Sequence, residues 1–467
     1  MKCVLAVRLP LFRIALAAIF VGSTYSVACA SALTLREAVQ LTLDGNPLIR
    51  VATANRRATD YELRQSQSRF LPNVSLDGDV GRQRIDRPLG FSEDVNNIWR
   101  TRRQVAVTVR QVLFDGWEIA NAVYRNAARV DSAALRVMSR SEALALSAIE
   151  AFVDVHRQRQ VLIVARRNVT RHRRYLQQVQ TKKTGGKTGI GEVQQVRERL
   201  TAAASAVLRI QQSLANAISK FNRVVGIRPH HLVRPASPRG LPKTRQAAVN
   251  LSIRNNPAIL AANADIEAAQ HATDGSRSAY FPKLSAEFKR SYGKHLDGTP
   301  GPSTDSTGKL VLSWSLFSGG IRSARTNELA ERAAEAMAQR DAQVREAVEQ
   351  VDRAFAAVQI GSQQLRTSRE QAQLALRVVK TYNEEFRLSK RSLLDLLDSE
   401  RARYDADITL IGARSLLLFA QYQMLGATGT LIRNFGARVS DATIANRRES
   451  VARSGALFSV ALPPLSK

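Results

Sequence analysis

Two periodicities divide this chain of 467 residues. In four short stretches apolar and polar side chains alternate, as in a strand with two unlike faces. Val74, Leu76 and Val80 oppose Ser75, Asp77 and Asp79, and Val105, Val107, Val109 and Leu113 oppose Gln104, Ala106, Thr108 and Arg110. Farther on, Leu284, Ala286, Phe288 and Tyr292 share one face. Leu310, Leu312, Trp314 and Leu316 do so in turn, opposite Lys309, Ser313 and Ser315. The strands are therefore predicted over about 73–86, 102–113, 283–292 and 309–317.

Elsewhere the spacing is three and four, which predicts helices over about 47–69, 117–184, 189–226, 257–280, 321–389 and 392–430. Asn46-Pro47 is a start signal: Asn caps, and Pro at the first helical position has no N–H to lose. Pro72 ends the helix that follows. From Trp117 to Thr184 there is neither Gly nor Pro, enough for about 100 Å of helix at 1.5 Å per residue. The stretch from Ile321 to Ser389 has only Gly361. Ala145, Ala148, Phe152 and Val155 recur in kind as Val348, Val351, Phe355 and Val358, a coiled-coil seam.

The correspondence is general. Residues 38–72 lie without a gap on 248–282, so that Asn46-Pro47 falls on Asn256-Pro257 and Phe70-Leu71-Pro72 on Tyr280-Phe281-Pro282. A second register, seven residues shorter, sets Leu113-Phe114-Asp115-Gly116 on Leu316-Phe317-Ser318-Gly319, Glu192-Val193 on Asp395-Leu396, and Gly226 on Gly429. The chain thus reads as two repeats, 33–227 and 244–432, joined by a Pro-rich linker, 228–243. A basic, unpatterned segment, 433–467, follows and is expected to be poorly ordered.

Composition narrows location. Lys2, Arg8 and Arg13 precede the apolar run Ile14 to Val21, and A-x-A sites follow at Ala28–Ala30 and Ala30–Ala32, so residues 1–32 read as a secretory signal peptide. Lipidation at Cys29 fits less well, because Ser26 stands where a Leu-like residue is wanted. Removing three positive charges from the formal +29 leaves +26, and both cysteines, Cys3 and Cys29, leave with the peptide. No later stretch is apolar for 18 residues, so a membrane would be crossed by strands. Four strands cannot close a barrel and would leave edges in lipid. Three copies would supply twelve, within the range of outer-membrane barrels, with the helices continuing the wall below. Phe70, Phe114, Trp117, Tyr280, Phe281, Trp314 and Phe317 cluster where strand meets helix, the place of an aromatic membrane girdle.

Over roughly 33–432 the chain resembles the outer membrane factor (TolC) family. The residues that carry the resemblance are the two Asn-Pro starts, the helix ends at 71–72 and 281–282, Leu-Phe-Asp-Gly at 113–116, and Leu393-Leu394-Asp395-Leu396-Leu397-Asp398-Ser399-Glu400. The last string, with the run Phe221–Leu232, is most similar to the type I secretion branch, including exporters of large repeat adhesins. The resemblance implies an α+β membrane protein: a trimeric 12-stranded outer-membrane β-barrel, four strands per protomer, continued by a long periplasmic α-helical coiled-coil barrel. It implies a homotrimer working with a periplasmic adaptor and an inner-membrane ABC transporter for protein export. A proton-driven pump for drug or metal-ion efflux is the alternative, and a periplasmic coiled-coil scaffold is an alternative of another class.

Candidate chemistry is sparse. The six histidines have no metal-ligand spacing, and Gly185-Gly186-Lys187-Thr188 lacks the earlier glycine of a phosphate loop, having Thr181 there. No cofactor, catalytic or metal site is expected, and export with scattered arginines argues against nucleic acid. Arginines between 82 and 103 (Arg82, Arg84, Arg87, Arg100, Arg102 and Arg103) would sit outside, near lipid phosphates. Asp395 and Asp398 are three apart and share a helix face. By the resemblance they form carboxylate rings at the periplasmic aperture. By their residues alone they are equally a solvated pair near a helix start. The resemblance also places Glu192 and Arg391 at the closed entrance, where a Glu–Arg bridge would act as a weak latch. Phe386 stands where the best-known member has a tyrosine, so one hydroxyl link is lost.

Overall fold

A computed structural model describes residues 32–86, 97–186 and 189–458. Residues 1–31 of the expected signal peptide, residues 87–96, among them Arg87, and the last nine residues lie outside the described residues, as do Lys187 and Thr188. The elements come in two matching series. The first is α1 (Leu35–Gly45), α2 (Pro47–Ser68), β1 (Asn73–Gln83), β2 (Arg100–Phe114), α3 (Glu118–Thr184) and α4 (Ile190–Val225). The second is α5 (Arg245–Asn255), α6 (Pro257–Ser276), β3 (Lys283–Lys294), β4 (Pro302–Ser313), α7 (Ile321–Arg387) and α8 (Leu393–Ala427). The Asn-Pro starts fold alike: Asn46 Oδ1 accepts from the Leu48 N–H at 3.0 Å, and Asn256 Oδ1 from the Ala258 N–H at 2.9 Å. Helix α1 was not foreseen, although Thr34 and Glu37 close a capping box at its start.

The four strands form one antiparallel sheet in the order β1-β2-β3-β4, so the β2–β3 pairing joins the repeats. Register sorts the rows by character. Val74, Val109 and Phe288 lie side by side, as do Val105 and Tyr292, and Leu284 and Leu312. On the other face run Asn73, Arg110, Glu287 and Lys309, with Lys309 Nζ 3.0 Å from Glu287. The apolar face is bare, with Leu76 and Val80 each 72% exposed and Leu310 70%. The strands β1 and β4 each keep one edge unpaired among the described residues.

The fourth strand corrects the expectation of 309–317. Pairing with β3 runs from Lys283↔Ser313 to Lys294↔Pro302, so the polar run from Ser303 to Thr307 is strand despite lacking alternation. Ladder bonds along β3 decide this, not side-chain polarity. Trp314, Leu316 and Phe317 lie beyond the strand, and Gly319 and Gly320, both at positive φ, turn the chain into α7.

Helix α3 is the spine. Ala145, Ala148, Phe152 and Val155 are fully buried in a core shared with α1, α4 and α8, where the Phe152 and Phe221 rings lie 6.3 Å apart. Of the matching seam in α7, Val351 is buried and Val348, Phe355 and Val358 are partly so. By length and composition alone α8 passes for a membrane span, although Arg414 interrupts its apolar stretch. The helix packs on α3 and α7, and its first two turns carry Asp395, Asp398 and Glu400.

The segment after 433 is ordered through 458, which overturns the expected loose tail. Helices α9 (Leu431–Phe435) and α10 (Arg447–Phe458) fold back along α3. Asp131, 1% exposed, accepts from the backbone N–H of Arg447 at 2.8 Å and Arg448 at 3.0 Å, and from Arg448 Nε at 3.0 Å. Arg447 Nε reaches Asp60 at 3.0 Å, and Arg448 reaches Glu267 at 2.5 Å. Val451 is buried with Leu63, Val123, Ala127 and Val130. Arg447 and Arg448 are thus partnered by carboxylates of α2, α3 and α6, far away in sequence.

Candidate aperture at the helical tips

The two long hairpins turn at Gly185-Gly186 and at residues 388–392, where Ser389 has a φ of 58°. The Ser392 hydroxyl caps α8 by accepting from the Asp395 N–H at 3.1 Å. Leu393, Leu396 and Leu397 then turn into a small core with Tyr175, Val179, Val193, Val196 and Phe386. That phase puts Asp395 and Asp398 on the open side, with side chains 48% and 57% exposed. Within the protomer Arg391 lies 3.9 Å from Asp395 and Arg199 lies 3.5 Å from Asp398. These contacts are long and solvated, worth well under about 1 kcal/mol each.

The expected Glu192–Arg391 bridge is not formed within the protomer. Arg391 is held in its own hairpin, with Nε 2.8 Å from Glu385 and its guanidinium 4.2 Å from the centre of the Tyr382 ring. Local sequence distance favours this choice, since Glu385 and Tyr382 sit across the same turn. Glu192 is half-buried in the first turn of α4. Phe386 is 5% exposed, and Lys182 of the other hairpin donates to its carbonyl at 3.0 Å while lying 3.9 Å from its ring centre. The residue therefore joins the two hairpins through its ring and backbone.

A stronger link was missed. Glu400 is 1% exposed, and its carboxylate accepts from the Tyr175 hydroxyl at 2.8 Å. Arg171 Nε lies 2.8 Å from its other oxygen, an ion pair out of line for a hydrogen bond. Burial, then the Glu400 charge, pushes the Tyr175 phenol up. Burial likewise pushes the neighbouring His172 imidazole down. One signal was available: Glu400 continues the buried phase of Leu393, Leu396 and Leu397.

At the opposite end aromatic rings gather at the strand–helix joint. Trp117 meets Phe114 and Phe281 edge-on, with centres 5.3 Å and 5.6 Å apart. Trp314 Nε1 donates to the Tyr280 carbonyl at 3.2 Å. Tyr280, Phe281 and Trp314 are exposed, and Phe317 is 88% so. Phe70 is partly buried and packs against the cluster that holds Leu63, Val123 and Val451. Of the outer arginines, Arg102 pairs with Asp79 at 3.2 Å, Arg84 Nε donates to Asn97 at 2.5 Å, and Arg82 lies over Trp99. No cluster of metal ligands occurs among the described residues.

A family model described as outer membrane efflux protein matches residues 38–226 and 248–430, one match per repeat. The chain belongs to this family. It is 22% identical over 419 residues to the outer membrane efflux protein BepC of Brucella suis biovar 1, covering 90% of each chain. It is 23% identical over 397 residues to the alkaline protease secretion protein AprF of Pseudomonas aeruginosa, covering 81% of this chain and 80% of that one. Its fold matches the outer-membrane channel OprN with a TM-score of 0.74 at 20% identity, over 85% and 89% of the two chains. It matches the outer membrane protein VceC of Vibrio cholerae with a TM-score of 0.73 at 15% identity, over 87% and 97%. The chain is thus an outer-membrane channel protein and not an enzyme.

Proposed function

We propose that three copies of this chain close a twelve-stranded barrel and act as the passive exit duct of a type I protein secretion system. An inner-membrane ABC transporter supplies the energy, and a periplasmic adaptor docks on the duct. The observation that carries this reading is the sheet itself, with one bare apolar face and two unpaired edges. In lipid every backbone group needs a partner, so such edges must meet those of other copies. The apolar face then meets lipid and the charged rows meet the pore. A periplasmic scaffold would have no use for that face.

At the far end Asp395 and Asp398 stand clear of the tip core, and threefold symmetry would stack them as two carboxylate rings. Such rings favour cations in a narrow pore. Arg391 and Arg199 then act as local counter-charges that a docked adaptor can draw away. Protein cargo is favoured by the likeness to a relative whose name is that of a protease secretion protein. Efflux is the second reading, supported by the likeness to a relative named as an efflux protein.

The test is planar-bilayer recording of the purified protein. Cation-selective pores blocked by trivalent cations are expected, and replacing both Asp395 and Asp398 with Ala should relieve the block. An unchanged block in that double variant would remove these residues from the aperture. For cargo, a deletion strain should lose a large extracellular protein; raised sensitivity to toxic small compounds with an intact secretome would favour efflux.

A further inference from the structure

The pairing register divides the charged residues of the sheet unevenly between its two faces. Asp77, Asp79, Glu287 and Asp305, the carboxylates of the four strands, all lie on the face of Arg110 and Lys309. The bare apolar face has no carboxylate on these strands, yet it carries Arg82, Arg103, Arg290 and Lys294, all exposed. Arg100 and Arg102, close to Arg103 in sequence, belong to the opposite face, where Arg102 meets Asp79 at 3.2 Å. The sheet therefore keeps its anions away from the very face on which these cations stand.

The cations also mark one edge of the apolar face. Followed away from the helices, its apolar run ends at Val80 on β1, at Val105 on β2 and at Phe288 on β3. The next residue of that face is Arg82, Arg103 and Arg290 in turn. This edge crosses the strands obliquely, as the edge of a flat hydrocarbon layer must cross tilted barrel strands. Arg103 and Lys294 are direct cross-strand partners, with Cα atoms roughly 5 Å apart. Arg82 lies on the diagonal from Arg103, within about 8 Å. Like charges set opposite each other destabilise a sheet, and a shared counter-anion would relieve them. Rings of the kind found at membrane interfaces accompany the cations. Tyr292, 62% exposed, stands between Arg290 and Lys294, and the Arg82 guanidinium lies 5.7 Å from the centre of the Trp99 ring.

We infer that Arg82, Arg103, Arg290 and Lys294 bind the phosphate groups of an outer-leaflet lipid of the bisphosphorylated lipid A kind. The inference rests on the barrel reading, which turns this face toward lipid and its cationic edge away from the periplasmic helices. Headgroups at one depth in the leaflet meet the oblique line of cations, while acyl chains run alongside Val80, Val105 and Phe288. Guanidinium groups match phosphate oxygens two at a time. A free phosphate ion would gain nothing from the apolar rows below. Arg82 and Arg103 come from the first repeat and Arg290 and Lys294 from the second, so a bound lipid spans the β2–β3 pairing that joins them. The surface is separate from the inward rows of the sheet and from the aspartates at the aperture.

The test titrates the assembled protein in detergent with lipid A, and with the same lipid stripped of both phosphates, and reads bound lipid by native mass spectrometry. Lipid A is expected to bind at least about tenfold more tightly than its dephosphorylated form, and inorganic phosphate at the same concentration should not displace it. Arg82→Gln, Arg103→Gln, Arg290→Gln and Lys294→Gln combined should erase that preference. Arg100→Gln with Arg102→Gln, on the opposite face, should keep it. Heat-resistant trimers and bilayer conductance, expected of parent and variants alike, report the barrel separately, and their failure in the parent would remove the barrel itself. With the barrel intact, equal affinity of the parent for the two lipids would overturn the lipid site alone, and this comparison needs no substitution. Displacement by inorganic phosphate, or an equal loss of preference in the inward-facing and outward-facing variants, would overturn it as well.

Discussion

The returning tail offers a sharp test of what holds the upper helices together. Asp131 is buried and takes three donors from Arg447 and Arg448, and Arg448 also bonds the half-exposed Glu267. Substituting Arg448→Ala keeps both backbone donors but removes the guanidinium. A hydrogen bond to a charged partner is worth roughly 1.5–3 kcal/mol when buried, and the exposed Glu267 contact adds at most about 1 kcal/mol. A total near 2 kcal/mol corresponds to roughly thirtyfold faster opening of α10, since about 1.4 kcal/mol is tenfold.

Amide hydrogen exchange of α10 reads this local opening directly, without requiring reversible unfolding of the whole membrane protein. Asp131→Asn alone should also speed exchange, because it leaves the Arg448 charge without its buried partner. The double variant should be less affected than the two singles added together, by about 1–2 kcal/mol of coupling. Additivity within about 0.5 kcal/mol would show that the residues do not act as a pair. Exchange in α10 that matches the parent in Arg448→Ala would refute the clamp altogether.

Two further outcomes follow from single residues. Burial pushes the Glu142 carboxyl up to about 7, against the N–H donors of Leu431 and Ile432. An acid raised in the folded state gives full stability below its unfolded value of 4.5 and loses it as pH rises through about 7. The loss is on the order of 3 kcal/mol, so Glu142→Gln should flatten the apparent Tm between pH 5 and 8; an unchanged slope would clear Glu142. The equivalent glycines Gly226 and Gly429 both have positive φ, but a Cβ would find open space at Gly226 and would stand 2.6 Å from the Asn255 carbonyl oxygen at Gly429. Gly226→Ala should cost about 1 kcal/mol of backbone strain, and Gly429→Ala clearly more; equal shifts in thermal unfolding would show that the Asn255 contact gives way freely.

What could be read from the chain was local. The Asn-Pro caps, the uninterrupted stretch behind α3 and the alternation of Val74 to Val80 each lie within a few residues, and each folds as its own neighbourhood dictates. The leucine–aspartate phase after Ser392 was equally legible, because helical geometry alone separates Leu396 and Leu397 from Asp395 and Asp398. What escaped depended on distant partners. The polar start of β4 is strand because β3 lies beside it, and α10 is ordered because Asp131 and Glu267 wait 317 and 181 residues away. Arg391 was assigned to Glu192 by position at the entrance, whereas Glu385, six residues away, competes better. Glu400 was read only as the end of a motif, and its partner Tyr175 is 225 residues distant.

Internal duplication also makes the two long helices comparable. Helices α3 and α7 are each 67 residues long, yet 30 residues of α3 are buried against nine of α7. Their seams match in spacing, so sequence pattern is not the cause. The difference is position: α3 is flanked by α2, α4, α6, α8 and α10, whereas α7 has α8 and α6 on one side and α5 at its upper end. Ile360 of α7 is left 65% exposed and Leu208 of the edge helix α4 is left 67% exposed. Helices α4 and α7 are thus unfinished edges of the helical layer, as β1 and β4 are of the sheet. An assembly of like copies satisfies both layers by one rotation, joining β4 to the next β1 and α7 to the next α4. The same symmetry that closes the barrel in lipid then closes the tube below it.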